Sequence, residues 1–322
     1  MNPKSTTNIF AADPGFGDTK ICIGGQAQRL PSVIARAKDI GMAGIGMKTA
    51  SQAMTIQVGW DKYVIGDGAW HWGDILTNRD YSALSSPERR ALMLGAASLI
   101  LPPGEHTFDV MALGLPVPLL LDQTQGQTIL SGLKAYKGEH RFTTDKGSYV
   151  ITIHKLKALA QPVGAYADWL LDDELHIRKN GRQAEVAVLD IGMNTLDLYV
   201  IQDGNVLPRF VGGGKVGVRR LLEILDTNGH EPEELDAQLR SGKLRPAKDQ
   251  LESWLSEILS VIERTWPNLR RFTTVIPAGG GSVALGDMLR LALIAKGAAV
   301  TWPEDPGLTN VRGLWKWGAY GR

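Results

Sequence analysis

Two stretches of the chain share one pattern: residues 13–20 read DPGFGDTK and residues 190–197 read DIGMNTLD. Each begins with an aspartate after an apolar run, passes through an Asp-x-Gly turn and continues into a second apolar run, residues 21–23 and 198–201 respectively. Apolar residues on both sides of a glycine turn predict a β-hairpin. The chain is therefore predicted to contain two copies of one strand–turn–strand unit.

The residue types in these turns suit a polyphosphate ligand. Glycine takes positive φ at little cost, so that backbone N–H groups can converge on an anion. Asp13 and Asp190 each place a carboxylate at the end of an apolar strand, where it can hold Mg²⁺ through the ion's hydration shell. Lys20 adds a cation that can reach a phosphate. An ordinary hairpin explains either copy alone, but two copies at the same spacing favour phosphate binding.

The composition is that of a soluble globular protein, with 322 residues, a formal net charge of +1 and one cysteine, Cys22. This length allows two domains, and the near-zero charge gives no reason to expect direct nucleic-acid binding. A single cysteine forms no intrachain disulfide, which fits a reducing cytoplasm. We find no signal-peptide core and no apolar span long enough for a bilayer. A cytoplasmic location without a membrane partner is predicted.

Periodicity and turn residues predict strands that alternate with helices. Strands are predicted at 56–60, 62–66, 108–115, 149–157, 273–277 and 298–302, and helices at 89–101, 163–171, 219–226, 231–239, 248–266, 283–293 and 309–320. Residues 85–88 (SSPE) predict the start of the first of these helices, with serine caps and Pro87 in its first turn. The glycine-rich residues 42–46 are predicted to form a mobile loop. This alternation predicts an α/β architecture, and the repeated hairpin predicts two related halves with ligand bound where the glycine turns face each other.

In this order and spacing, the motifs resemble those of the actin-like ATPase superfamily. Residues 13–20 and 190–197 resemble its two phosphate motifs, residues 277–282 (PAGGGS) its adenosine motif, and residues 161–165 (QPVGA) and 310–318 (NVRGLWKWG) its two connecting segments. The second phosphate motif departs from the usual pattern at Met193 and Asn194, where small residues are common. Asparagine tolerates a left-handed backbone, so the turn can still form. The methionine side chain covers more of the backbone than a small residue would, which changes the contacts that this loop can make with a ligand.

The resemblance implies an α/β fold of the actin-like, duplicated ribonuclease H-like type, with two related domains around a nucleotide cleft. Domain I is predicted to comprise residues 1–158 and 306–322, and domain II residues 159–305. Residues 63–69 and 214–218 are most similar to the ParM and archaeal actin-like branch. That branch implies ATP-dependent filaments that separate plasmids. The implied partners are further copies of the chain and an adaptor protein bound to centromere-like DNA.

The resemblance also implies roles for individual residues in Mg²⁺-dependent hydrolysis of ATP, with GTP as the alternative. Asp13 and Asp190 would hold Mg²⁺, Asp190 would hold a metal water or orient the attacking water, and Gln161 would position that water. Because glutamine is a poor proton acceptor, slow hydrolysis is expected. The predicted nucleotide-binding residues are Gly15, Phe16, Gly17, Lys20, Gly192, Met193, Asn194, Thr195, Gly213, Gly214, Lys215, Gly279, Gly280 and Gly281.

Simpler explanations exist for several of these residues. Gln161 before a proline can be a helix entry, residues 212–214 a plain loop, and residues 279–281 a close helix–strand packing site. Asp197 is more readily explained as fixing the hairpin than as touching ligand. The aromatic and basic residues at 312–322 are compatible with a membrane-surface tail. A terminal helix docked on the first domain is the interpretation we prefer.

Two other functions known for the same fold remain alternatives for this chain, a small-molecule kinase and a non-polymerising scaffold. A small-molecule kinase would need a general-base aspartate and a sugar-sized pocket, and no sugar-binding motif is recognisable. A non-polymerising scaffold would bind nucleotide without forming filaments. A chaperone is disfavoured, because the sequence ends directly after the last motif with no segment for a substrate-binding domain.

Overall fold

The computed structural model describes residues 8–36, 53–76, 80–116, 119, 123–226 and 229–320. The chain divides into two compact units, Met1–Leu159 and Ala160–Arg322. This division lies beside the predicted domain boundary at residue 158. The predicted loop at 42–46 lies outside the described residues.

The first unit is built on one mixed sheet. Its strands, among the described residues, are β1 (Ile9–Pro14), β2 (Asp18–Ile23), β3 (Gln26–Pro31), β4 (Ile34–Arg36), β5 (Met54–Val58), β6 (Asp61–Ile65), β7 (Gly104–Leu115), β8 (Gly138–Thr144) and β9 (Gly147–Ala160). They are arranged in the order β3-β2-β1-β7-β9-β8-β5-β6-β4. Strand β1, which carries the first aspartate motif, lies inside the sheet between β2 and β7 and is buried.

The named α-helices of the first unit, within its described residues, are α1 (Pro87–Ala97) and α2 (Gln123–Gly132). Helix α1 begins as the sequence predicts: the hydroxyl of Ser86 accepts the N–H of Arg89, and Pro87 occupies the first turn. Its apolar residues share a core with β1, β2 and β7. Helix α1 therefore covers one face of the hairpin that contains residues 13–20.

The second unit carries a smaller sheet and seven of the described helices. Its strands are β10 (Val186–Ile191), β11 (Leu196–Gln202), β12 (Asn205–Val206), β13 (Gly212–Gly214) and β14 (Thr274–Ala278). Its helices are α3 (Gln161–Leu170), α4 (Val218–Leu225), α5 (Pro232–Arg240), α6 (Lys248–Thr265), α7 (Gly279–Leu285), α8 (Asp287–Ala295) and α9 (Thr309–Tyr320). Alternate residues of β10 belong to two separate cores, one with Trp254 of α6 and one with Tyr166 of α3. Both faces of β10 are therefore buried, as in an α/β fold.

The two units repeat one arrangement of four strands. The order β3-β2-β1-β7 in the first sheet corresponds to β12-β11-β10-β14 in the second. In each case the first strand of the hairpin pairs antiparallel with its successor and parallel with a later strand, β7 or β14. Asp13 lies opposite Lys20, and Asp190 lies opposite Asp197. The predicted duplication is present with the same register in both copies.

Several element boundaries differ from those predicted. Helix α1 ends at Ala97 instead of residue 101, where the N–H and hydroxyl of Ser98 bond back to carbonyls of the last turn. The helix predicted at 283–293 is two helices, α7 and α8, because Gly286 at φ 50° interrupts it. The strand predicted at 298–302 is reduced to a single bridge between Val275 and Val300.

The C-terminal helix α9 packs on α3 within the second unit. The two helices cross at Gly164 and Gly313, where their backbones are in contact. Lys316 is buried beside this crossing, 3.0 Å from the Asp168 carboxylate, and donates to the carbonyl of Leu171 at 3.0 Å. Helix α9 therefore belongs to the second unit, whereas the sequence analysis assigned residues 306–322 to domain I. The reason is the close contact between α9 and α3, which glycines at the crossing make possible.

The alternative of a membrane-surface tail is not supported by the packing of α9. Trp315 and Trp317 lie on a helix whose residues are mostly buried against α3 and its surroundings. Across the described parts of the chain, no helix combines the length and apolar character needed to cross a membrane.

The helix crossing gives a direct stability prediction for Gly313→Ala. An added Cβ would overlap the carbonyl of Gly164 and approach the Asp168 nitrogen at 2.7 Å. Forcing the helices apart should lower the free energy of unfolding by about 3 kcal/mol, measured by denaturant titration without nucleotide. Gly280→Ala in α7 is the matched control, because a Cβ there meets nothing within 4 Å. Equal unfolding midpoints for the two variants would contradict the close crossing.

Candidate functional site

The first hairpin brings together the predicted residues of the first phosphate motif. Asp13 is 1% exposed at the end of β1, and Lys20 lies opposite it on β2. The Lys20 Nζ donates to the Asp13 Oδ2 at 3.2 Å. Residues 15–17 form the connecting turn and are partly exposed. The carboxylate and the cation of this motif are therefore already paired with each other.

The turn itself is held from the side of helix α1. The carbonyl of Gly15 accepts two hydrogen bonds, from Ser32 Oγ at 2.7 Å and from Arg89 Nη1 at 2.9 Å. The N–H of Ser32 donates to the carbonyl of Gly17 at 2.8 Å. A Cβ at Gly15 would lie 2.8 Å from the Asp18 carbonyl, so the tight turn requires glycine there. Ser32 and Arg89 fix the backbone of the predicted phosphate turn.

The second hairpin holds Asp190 by a bond from a distant part of the chain. Asn310 at the start of α9 donates from Nδ2 to the Asp190 Oδ2 at 2.7 Å. Asn310 is 3% exposed, and its own Oδ1 has no hydrogen-bond partner in the part of the chain that the structure describes. Asp190 itself is 8% exposed. Asn310 therefore orients this carboxylate and leaves a buried acceptor beside it.

Asp197 replaces the lysine of the first copy and has a perturbed titration. Burial, with a smaller contribution from the Asp190 charge, raises the pKa of the Asp197 carboxyl to about 6, against the lowering effect of its Thr195 hydrogen bond. The Thr195 hydroxyl donates to the Asp197 Oδ2 at 2.8 Å. This bond joins two residues at the start of β11, on one side of the turn.

The turn at residues 192–195 is closed by the start of helix α4. The N–H groups of Val218 and Arg219 donate to the carbonyls of Gly192 and Met193 at 3.0 and 2.8 Å. The Gly192 N–H donates to the carbonyl of Thr195 at 2.9 Å. Met193 packs its side chain against the core of the second unit, and Asn194 is partly exposed. The two unusual residues of this motif are thus accommodated without opening the turn.

The glycines at 212–214 have a structural role that the sequence does not predict. They form strand β13, which pairs with β11 so that Gly213 faces Asp197 and Gly214 faces Leu196. A Cβ at Gly213 would overlap the carbonyl of Leu196. Close strand pairing accounts for this glycine, whereas Lys215, one residue beyond the strand, is exposed.

The glycines at 279–281 begin helix α7 directly beside Asp190. Gly279 has φ 82°, and a Cβ there would lie 2.5 Å from the Asp190 Oδ1. A Cβ at Gly281 would overlap the Ile191 side chain, whereas one at Gly280 would meet nothing within 4 Å. Gly279 and Gly281 are therefore required for packing against β10, and Gly280 faces open space.

Gln161 is the first residue of α3 and is partly exposed. Gly164 of the same helix packs against the backbone of Asn310, whose side chain donates to Asp190. The contact is so close that a Cβ at Gly164 would overlap the Asn310 carbonyl. The structure thus places Gln161 one helical turn before a residue in contact with Asn310. Its predicted role toward an attacking water remains a prediction.

Each unit gathers its own part of the predicted site. The first contains Asp13, Gly15, Phe16, Gly17 and Lys20, and the second contains the remaining predicted residues. Three further side chains enter the site: Ser32, Arg89 and Asn310. Asn310 lies in a motif noted in the sequence, whereas nothing local in the sequence marks Ser32 or Arg89.

Each unit, taken by itself, carries oxygen donors of the kind that suit a hydrated Mg²⁺ bound with a polyphosphate. Magnesium prefers oxygen ligands, and Asp13 in the first unit and Asp190 in the second each offer a carboxylate at an equivalent strand end. The tight glycine turn after Asp13 excludes a Cβ, and within the described residues the buried Asn310 Oδ1 beside Asp190 lacks a donor. These features leave polar groups that a hydrated ion or its ligand can satisfy.

Comparison with known proteins agrees with this architecture. Residues 11–164 match the family model described as the N-terminal domain of actin-like proteins. No curated protein matches the sequence. Together with the duplicated sheets described above, the match shows an actin-like fold, and the resemblance drawn from the motifs is confirmed.

Solved structures with the same fold span almost the entire chain. The apo pSK41 ParM protein is 18% identical over 98% of this chain and 97% of its own, with a TM-score of 0.73. The archaeal actin homologue Ta0583 in complex with ADP is 22% identical over 95% and 97%, with a TM-score of 0.72. A 15-stranded ParM filament from Clostridium botulinum is 17% identical over 97% and 99%, with a TM-score of 0.70. At these identities the likeness establishes the actin-like fold.

The raised pKa of Asp197 predicts how stability varies with pH. Because the folded state holds the proton more tightly than the unfolded chain, this residue favours folding at low pH and loses that effect as pH rises through about 6. Asp197→Asn keeps an acceptor for Thr195 and removes the titration. Between about pH 5 and pH 8 the wild type should lose about 1 kcal/mol of unfolding free energy relative to this variant. Parallel denaturant titrations without metal or nucleotide test this, and a constant difference would contradict the burial of the carboxylate.

Proposed function

We propose that this chain is a slow, Mg²⁺-dependent ATPase that polymerises into dynamic filaments, with GTP as the alternative fuel. The observation that carries the proposal is the repeated hairpin, in which an aspartate at the end of a central strand precedes a glycine turn in both units. Such a pair of turns suits a polyphosphate, because each offers backbone N–H groups and a carboxylate at the same relative position.

The proposed roles follow the chemistry of the side chains present. Asp13 and Asp190 would hold the hydrated metal. The Lys20 ammonium, which donates to Asp13, would also donate to a phosphate. Bound Mg²⁺ would supply neutralisation of the phosphate charge. Gln161 would orient the attacking water, and its weak basicity accounts for slow hydrolysis.

The backbone of the turns would bind the phosphates. In the first unit this falls to Gly15, Phe16 and Gly17, and in the second to Gly192, Met193, Asn194 and Thr195. Gly280 is best suited of the adenosine-motif glycines to approach a ligand, since the space beside it is open. Gly279 and Gly281 would support that surface by packing against β10. Gly213, Gly214 and Lys215, in the segment before α4, would bind the adenosine part of the nucleotide.

Assembly and partners are proposed by analogy with proteins of the same fold. One of them is a ParM filament, which supports self-association of this chain as well. Another is a complex with ADP, which supports nucleotide binding. We propose that the filament separates plasmid DNA in the cytoplasm, through an adaptor protein bound to a centromere-like site. The filament itself is not proposed to touch DNA.

Polymerisation is tested by light scattering and pelleting of the purified protein with ATP, GTP, ADP and no nucleotide, each with Mg²⁺. We expect scattering to rise with a triphosphate and to decay as phosphate is released, because hydrolysis acts as the timer of a dynamic filament. Nucleotide binding without assembly at any protein concentration would instead indicate a scaffold or a small-molecule kinase of the same fold.

Asp190→Asn tests the assigned hydrolytic site. The amide retains an acceptor for Asn310 but removes the charge that holds metal or water, so the variant should fold and lose most of its phosphate release, by about 100-fold. Asp203→Asn is the matched control, since Asp203 lies exposed in the turn after β11 of the same unit. Normal turnover in Asp190→Asn would remove this residue from the mechanism.

A further inference from the structure

A buried cation, Arg89, lies behind the first glycine turn and has no carboxylate partner within the described residues. Arg89 is 6% exposed, and its guanidinium lies 5.7 Å from the centre of the Phe16 ring. Among the described residues its contacts are the Gly15 carbonyl and this ring, and Tyr136 is the titratable group that acts on it. Burial lowers the pKa of the Arg89 guanidinium from its ordinary value.

The hydrogen bond to Gly15 does not by itself explain a charged residue at this position. The Gly15 carbonyl already accepts the hydroxyl of Ser32 at 2.7 Å. A neutral donor would serve the carbonyl equally well, and a buried charge is strongly unfavourable unless an opposite charge compensates it. The cation–π contact with Phe16 offsets this cost in part. A further counter-charge is therefore expected close to Arg89.

Arg89 approaches the turn from the face opposite Lys20. Asp13 and Lys20 are cross-strand partners and lie on one face of the β1–β2 hairpin. Ile21, the next residue along β2, faces the other side and shares a core with Ala91 of α1. The charge of Lys20 is paired with Asp13 at 3.2 Å. The uncompensated positive charge at this turn thus belongs to Arg89.

We propose that Arg89 is a positioning residue for the polyphosphate, whose buried charge is balanced by phosphate bound at the turn of residues 15–17. It fixes the Gly15 carbonyl on the α1 side and attracts the anion through the turn. The inference rests on the proposed nucleotide binding and deepens it, by assigning much of the anion's attraction to a residue outside the recognised motifs. Such an interaction acts over a short path of protein, where screening by water is weak.

The experiment compares Arg89→Met with Arg90→Met, which removes a charge from the next, more exposed residue of the same helix. Calorimetry with Mg²⁺ measures the dissociation constants of ATP and of inorganic triphosphate, and denaturant titration measures stability without ligand. We expect Arg89→Met to weaken both ligands by about tenfold without a loss of ligand-free stability, because it removes an unpaired buried charge. Arg89→Lys should recover part of the affinity, and Arg90→Met should resemble the wild type.

The outcomes separate this inference from the proposed function. Equal triphosphate affinity of the wild type and Arg89→Met overturns the role of Arg89 and leaves nucleotide binding standing. If Arg89→Met loses ligand-free stability but keeps its triphosphate affinity, Arg89 is a purely structural residue, and this result also overturns the proposed role. If the wild type binds neither ATP nor inorganic triphosphate, the proposed nucleotide binding is contradicted, and the role of Arg89 is contradicted with it. Should Arg89→Met not fold, Arg89→Gln retains a donor for Gly15 and provides the same comparison.

Discussion

The pairing of an aspartate-bearing strand with its two neighbours is the constraint on which both units depend. In the second unit, β10 pairs antiparallel with β11 and parallel with β14, and both of its faces are buried. A side chain at the end of such a strand has little freedom, since backbone pairing sets its height and core packing sets its direction. Asp190 therefore occupies a defined position before any ligand contributes, and Asp13 does so in the first unit.

The two copies share their backbone arrangement and differ in charge. In the first, Asp13 lies opposite a lysine, which forms a buried ion pair with it. In the second, Asp190 lies opposite another carboxyl group, and the resulting repulsion adds to the effect of burial on Asp197. The first hairpin is thus compensated internally, while in the second the Asn310 amide donates to Asp190 and the pKa of Asp197 is raised. A duplicated fold has in this way acquired two chemically distinct turns.

The sequence predicts those parts of the structure that depend on neighbouring residues. Both hairpins, the capped start of α1 and the terminal helix follow from spacing, turn residues and periodicity. The glycines of β13 are missed as a strand because glycine has little intrinsic strand preference, and their pairing with β11 is a tertiary effect. The same limit applies to the site: the aspartates are visible as a repeated motif, but Arg89 meets Gly15 from 74 residues away. No local pattern specifies such a partner.

The bond between Asn310 and Asp190 has a consequence for biosynthesis. The two residues are separated by 120 positions in the sequence. A ribosome therefore completes the β10–β11 hairpin long before the amide that orients its aspartate exists, and the acidic pair at residues 190 and 197 must persist meanwhile without it. In the nascent second unit, Asp190 lacks this hydrogen bond until α9 emerges and docks on α3. The environment of Asp190 is thus completed by a segment that is synthesised long after the hairpin.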